Sequence, residues 1–186
     1  MVRRKNSPQL SRQDWIDQGL KVLAERGVEA VRVEPLAKLL QVTKGSFYWH
    51  FSNRQALLDA LLEAWVDRDT DRIIKQVDAV EGGGVTKIRR LFELAVEDTG
   101  EVERAIRAWA TNDAQVAAVL GTVDERRLNY TKDLFLTIGF TPAEAMVRAR
   151  MAYYALVGEF TVGTRSDQGE RLFEIQRQHD ILTRRD

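Results

Sequence analysis

Residues 33–51 read VEPLAKLLQVTKGSFYWHF, and how this stretch folds decides how the rest is read. Leu36, Ala37 and Leu40 recur at helical spacing between Val33 and Leu40. After two turn residues, Thr43 offers a hydroxyl N-cap to a second helix running towards Phe51. Two short apolar-periodic helices about a tight turn are the layout of a helix-turn-helix, whose second helix sets its first residues on base edges in the major groove. Phe47 and Phe51, four apart, are expected to point inward against Ile16, Leu36 and Leu40. Lys44, Ser46 and Trp49 then lie on the other side, flanked by Tyr48 and His50. The unbroken aromatic and imidazole run from Phe47 to Phe51 cannot all face one core at helical spacing, so part of it must face solvent or a partner.

The outward residues suit DNA. Lys44 is an expected donor to guanine O6 and N7, Ser46 a short donor and acceptor for several bases, and Trp49 an apolar surface for thymine methyls. Thr43, Tyr48 and His50 are expected on phosphates, where contacts fix register without reading sequence, and Arg32 is placed within reach of another phosphate. Gly45 permits close backbone approach at a helix-propensity cost of about 1 kcal/mol against Ala.

Around this stretch the charge is asymmetric. The 186 residues hold 28 Lys and Arg against 28 Asp and Glu, a formal net charge of zero. Residues 1–54 carry 10 basic and 5 acidic side chains, whereas residues 55–186 carry 18 and 23, so a +5 head precedes a −5 body. Two domains are expected on these bounds: a helix-turn-helix domain over 1–54 and a helical domain over 55–186. With no cysteine, two separated histidines (His50 and His179) and no glycine-rich phosphate loop, the sequence offers no thiol nucleophile, metal centre or cofactor, and an enzyme is not expected. Arg3, Arg4 and Lys5 are followed by no apolar run, and Met151 to Gly158 is too short to span a bilayer, so a soluble, cytoplasmic chain is expected.

Periodicity is helical throughout, with about nine helices expected and no strands, an all-α chain built as a three-helix N-terminal domain and a larger C-terminal bundle. Ser11 is the expected N-cap of the first helix, whose face is Trp15, Ile16, Leu20 and Leu23, with Gly27 at its end. Ser52 or Asn53 caps a long fourth helix carrying Leu57, Leu58, Leu61, Leu62 and Trp65. Gly82-Gly83-Gly84 breaks the pattern, and Gly100, Gly121 and Gly139 are expected to punctuate the remainder of the chain into further helices. Thr122 to Glu125 resembles a helix restart after Gly121, and Glu101-Val102-Glu103 a solvated helix start. Thr141-Pro142-Ala143-Glu144 has the form of a capping box with proline at the first helical position.

Residues 43–51, followed by Arg54-Gln55-Ala56-Leu57, resemble the recognition helix and fourth-helix start of the TetR family of bacterial transcriptional repressors; the resemblance is close over about residues 10 to 58. Two positions depart from the family's habit. Gln41 stands in a turn that usually contains glycine, so a positive φ there is less comfortable. Val31 and Arg32 precede the second helix where a capping threonine is usual.

The resemblance implies a homodimer on a palindromic double-stranded operator, released by a small-molecule inducer bound in the C-terminal domain. For the inducer, Trp65, Phe92, Trp109, Tyr130 and Tyr154 are candidate pocket aromatics and Asn112 a candidate polar partner. For the dimer, the Pro142 helix offers Ala149, Tyr153 and Phe160. The last helix adds Leu172, Ile175, His179 and Leu182 at spacings of three, four and three, with His179 expected to hydrogen-bond across the seam. A rival reading is a DNA-binding protein with no inducer, which a well-filled C-terminal core would favour and a cavity of several hundred Å³ would oppose.

Overall fold

The computed structural model describes residues 10–162 and 168–185; Arg3, Arg4, Lys5, Pro8 and Gly163 lie outside them. Among the described residues all regular structure is helical. The helices are α1 (Arg12–Arg26), α2 (Val33–Leu39), α3 (Lys44–Tyr48), α4 (Arg54–Val66), α5 (Arg72–Asp78), α6 (Gly84–Glu97), α7 (Glu101–Ala110), α8 (Ala114–Thr137), α9 (Pro142–Val162) and α10 (Gln168–Thr183). A 3₁₀ turn (Val28–Ala30) follows α1, and a π-helical segment (Asp67–Asp71) joins α4 to α5 without a break in helical backbone. Counted as one interrupted helix over 54–78, α4 and α5 bring the described total to nine. The chain forms two compact units, Met1–Trp65 and Val66–Asp186, so the first half of that long helix belongs to the N-terminal unit.

In the first unit, α1 starts as its sequence dictates. The Ser11 hydroxyl accepts from the Asp14 amide, and the Asp14 carboxylate accepts from the Ser11 amide at 2.6 Å and hydroxyl at 2.7 Å. These bonds hold the Asp14 carboxyl below the usual carboxylate range. Trp15, Ile16, Leu20 and Leu23 are buried as their spacing requires. Gly19 lets α1 and α4 meet, since a Cβ there would stand 2.8 Å from Leu61 Cδ2. Asn53, not Ser52, caps α4 by accepting from the Ala56 amide.

The second unit has one continuous apolar core drawn from α5, α6, α8, α9 and α10, around Val77, Ile88, Phe92, Phe135, Ala149 and Leu182. Thr141 and Glu144 form the expected capping box of α9. Gly121, by contrast, breaks nothing. It lies inside the 24-residue α8, with open space where a Cβ would point, so the apparent restart at Thr122 is ordinary helix interior. Tertiary packing along α9 outweighs the single glycine's propensity cost. Gly100 is different: at φ +69° it caps α7, and a Cβ would fall 2.0 Å from Phe160 Cδ1.

These two glycines should therefore respond oppositely to alanine. Gly121→Ala is expected to raise stability by about 0.5–1 kcal/mol, and Gly100→Ala to lower it, both read from thermal melts. A stabilising Gly100→Ala would contradict the αL cap.

Candidate functional site

The surface built by α2 and α3 rests on one buried ring. Phe47 is fully buried, with its ring edge-on to Trp15 at 5.2 Å between centroids and stacked on Phe51 at 5.4 Å. The Arg12 guanidinium closes over Phe51 at 4.9 Å. With Phe47 fixed, the residues around it turn outward: Thr43, Lys44 and Gly45 are exposed, Tyr48 is 54% exposed and Trp49 88% exposed. Ser46 and His50 are half-buried at the margins. An 88%-exposed tryptophan is the kind of side chain that marks a contact surface.

Several details differ from expectation. The regular helix ends at Tyr48, and Trp49 and His50 form a turn rather than further helix. Thr43 is the N-cap by backbone geometry, but its hydroxyl makes no capping bond; Ser46 N–H donates to the Thr43 carbonyl instead. Gln41 does adopt φ +57° in the turn, the left-handed conformation that a side chain disfavours. Arg32 is exposed at the N-cap of α2 and its Nε donates to the Glu29 carbonyl at 2.8 Å.

Lys44 is tethered: its ammonium pairs with Glu34 on α2 at 2.7 Å, both groups being largely exposed. The hydrogen bond and its charge hold the Glu34 carboxyl below its ordinary value and raise the Lys44 ammonium. Across such an exposed pair the attraction is weak, so another hydrogen-bond acceptor can replace Glu34 at small cost. Arg54 has a structural task. Its Nε donates to the Val31 carbonyl at 2.6 Å and its Nη2 to the Val28 carbonyl at 2.7 Å, which ties α4 to the loop before α2. Sequence spacing marks the basic residue but not the carbonyls it holds.

In the second unit a cavity of about 1600 Å³ opens among α5 to α10. Phe92 and Tyr130 line it, as expected of them, while the other four candidates do not. Trp65 and Trp109 are buried elsewhere, and Asn112 and Tyr154 are exposed. Tyr130 donates to Asp78 at 2.8 Å, and burial with this bond pushes its phenol pKa up.

The cavity also has a polar wall, which no local sequence pattern announces. Glu103, expected on a solvated helix start, is 2% exposed and accepts from Arg127 Nη1 at 3.0 Å, with Arg107 Nη2 at 2.7 Å. Burial opposes the charge on Arg127, but Glu103 overrides it and the guanidinium pKa is raised. Arg107 also pairs with Asp124 at 2.8 Å, and the Tyr153 hydroxyl donates to Asp124 at 2.6 Å. Arg127 further donates to the Thr70 hydroxyl at 2.9 Å and the Asp69 carbonyl at 3.2 Å, both in the π segment.

The expected dimer residues divide. Ala149, Tyr153, Phe160, His179 and Leu182 are buried within the single chain, Ile175 is half-buried, and Leu172 is exposed. His179 Nε2 meets the Val85 carbonyl on α6 at 3.0 Å, an intramolecular bond in place of the expected one across a seam. The stripe has the expected period but lies on the inward face. Val147 and Tyr154 on α9 are more than half exposed and stand outside the cavity lining, whereas Met151, Val162, Phe173 and Ile181 are as exposed but line the cavity on its open side.

Among the described residues no group of side chains is arranged to hold a metal ion, and no helix is long and apolar enough to cross a membrane.

Arg54→Met is expected to lower stability by about 1.5–3 kcal/mol by removing two charge-assisted bonds. Trp49→Ala should change it by no more than about 0.5 kcal/mol. Melting both variants separates a structural from a presented side chain; equal losses would refute the distinction.

Comparison with known proteins agrees with this surface. The family described as bacterial regulatory proteins, tetR family, matches residues 16–61. The class G tetracycline repressor of Vibrio anguillarum is 48% identical over 46 residues, 25% of this chain and 22% of that protein. The transcriptional regulator TtgR of Pseudomonas putida is 38% identical over 65 residues, 34% of this chain and 31% of that one. The matched residues thus span less than a third of these relatives' lengths. In fold, a TetR-family regulator of Streptomyces coelicolor, SCO4454, superposes with a TM-score of 0.78 at 15% identity over 97% of this chain and 90% of its own. These are regulators of transcription, not enzymes.

Proposed function

We propose that this chain, which belongs to the TetR family of DNA-binding transcriptional regulators by its N-terminal domain, is a cytoplasmic homodimeric repressor of a palindromic operator, released by a small molecule in its C-terminal cavity. The observation that carries the DNA reading is the split within α3: Phe47 is wholly buried while its neighbours Tyr48 and Trp49 stand out in solvent. Lys44 leaves Glu34 to donate to guanine, Ser46 bonds a base edge, and Trp49 covers thymine methyls. Thr43, Tyr48, His50 and Arg32 contact phosphates, and Gly45 lets the backbone come close.

The inducer reading is supported by the cavity, whose size opposes a DNA-binding protein with no ligand. Arg127 stands in its wall and also holds the π segment that follows α4 in the chain. A ligand that shifts Arg127 acts on the segment leading directly to the DNA-binding domain. A coupling of about 1–3 kcal/mol suffices for a 5- to 150-fold loss of operator affinity.

Selection of bound duplexes from a random pool by the full chain is expected to return a palindrome. Lys44→Ala should cost about 1–3 kcal/mol of affinity at one base pair of each half-site, measured by gel-shift titration. Undiminished specific binding by that variant would remove Lys44 from the base contacts.

For the dimer, the exposed Val147 and Tyr154 side of α9, outside the cavity lining, is the surface of choice. Val147→Glu combined with Tyr154→Glu is expected to give a monomer in sedimentation equilibrium, with palindrome affinity falling towards that of a half-site. A variant that stays dimeric would place the interface elsewhere.

A further inference from the structure

The cavity's polar wall restricts what it will accept. Arg127 spends its donors on Thr70, Glu103 and the Asp69 carbonyl, at 2.9, 3.0 and 3.2 Å. Arg107 bridges Glu103 and Asp124 at 2.7 and 2.8 Å, and Tyr153 donates to Asp124 while accepting from Arg107 at 3.0 Å. Two guanidinium groups thus pair with two carboxylates, Glu103, Arg127 and Tyr153 lining the cavity and Arg107 and Asp124 standing outside its lining, and the circuit closes at zero net charge. Tyr153 stays protonated, since burial first, and then Asp124, push its pKa up to about 12. Further out, Arg68, Arg72 and Arg171 are paired as well, with Asp69, Asp67 and Glu159, and the remaining charged lining residues, Glu97, Glu174 and Arg177 with the half-buried Asp98, lie towards solvent.

A charged ligand group brought against this wall must displace one member of a pair and leave the other's charge uncompensated. At Glu103 and Arg127, whose side chains are 2% and 15% exposed, that loss is large, because the displaced charge regains little solvation. An uncharged group leaves the circuit intact. The opposing surface asks for the same class: Ile73, Leu91, Phe92, Leu156 and Ile175 present aliphatic and aromatic carbon from four helices. The volume of about 1600 Å³ exceeds that of an ordinary small-ligand site, so it admits an extended molecule.

We propose that this cavity binds an uncharged, extended and mainly apolar molecule, with hydroxyl groups at most, in preference to an organic anion or cation of the same shape. The proposal rests on the reading of the cavity as the effector site and adds the chemical class of the effector.

The test uses the full chain and N-phenyl-1-naphthylamine, an uncharged probe whose fluorescence rises in apolar surroundings. It is displaced by 1-decanol, decanoate or decylammonium, each below its aggregation limit. Decanol is expected to displace the probe at a concentration about tenfold or more below either ion, the discrimination that an intact charge circuit imposes. Glu103→Gln leaves the wall with one positive charge in excess, so the decanoate-to-decanol concentration ratio should fall by about threefold or more. Asp124→Asn, at a more exposed carboxylate of the same circuit, serves if circular dichroism finds Glu103→Gln unfolded. The ratio is taken within each variant, so a general loss of stability does not move it.

Displacement by either ion as strong as by decanol, or a ratio unmoved in the folded variant, overturns the proposal while leaving the effector site in place. Absence of saturable probe binding overturns both the class and the site. Preferential decanol binding that leaves a preformed DNA complex intact upholds the class and counts against regulation through the cavity.

Discussion

A five-residue helix has no stability of its own, because nucleating a helical turn costs more than so few hydrogen bonds return. That α3 exists at all is owed to Phe47, wedged between Trp15 and Phe51 and sealed from water. The presented surface is a consequence of that one burial. Once Phe47 is fixed, helical geometry sends Lys44 and Tyr48 to the flanks, and the turn that ends the helix leaves Trp49 in solvent. The left-handed Gln41 fixes how α2 hands the chain to α3, and the Arg54 bonds to the Val28 and Val31 carbonyls fix how the chain enters α2.

The second unit depends on a different kind of constraint. Glu103 inside a folded domain would be untenable alone, and it is kept by two arginines from different turns of the fold, Arg107 on α7 and Arg127 on α8. Such a cluster adds little net stability over apolar side chains of the same volume, but removal of one partner strands a buried charge. Its effect is to lock α7, α8 and α9 in one arrangement, through Asp124 and Tyr153, beside a large space that apolar packing leaves unfilled.

What is legible in the sequence is local. Ser11 with Asp14, Thr141 with Glu144 and the triple glycine at 82–84 each carry their cause within four residues, and each falls where expected. The recognition surface is legible for the same reason, because the aromatic run violates helical spacing unless part of it is exposed. Apart from the early end of α3 and the missing Thr43 cap, the failures are long-range. Glu103 looks like any first-turn acid until Arg127, 24 residues on, is folded against it. Gly121 is a breaker by composition, and only the packing of α8 along α9 makes it harmless. His179 and its neighbours on α10 have the period of a seam, yet a period defines a stripe without saying whether that stripe faces inward or outward. Among the pocket candidates, Phe92 and Tyr130 reach the cavity and Trp109 does not, though all three sit at helical spacing on apolar faces.

The π segment is where the two kinds of constraint meet. An i→i+5 turn packs its ladder less well than an α-turn and persists only where something outside the helix holds it. Here the holders are identifiable. Arg126 pairs with Asp71, and Arg127 donates to the Thr70 hydroxyl and the Asp69 carbonyl, while the Asp67–Arg72 and Asp69–Arg68 pairs lie within the helix itself. Both outside holders come from α8, and one of the two belongs to the Glu103 circuit. The wide turn is therefore held by the same guanidinium that closes the cavity's charge balance. Trp65 and the first unit lie immediately before this segment in the chain.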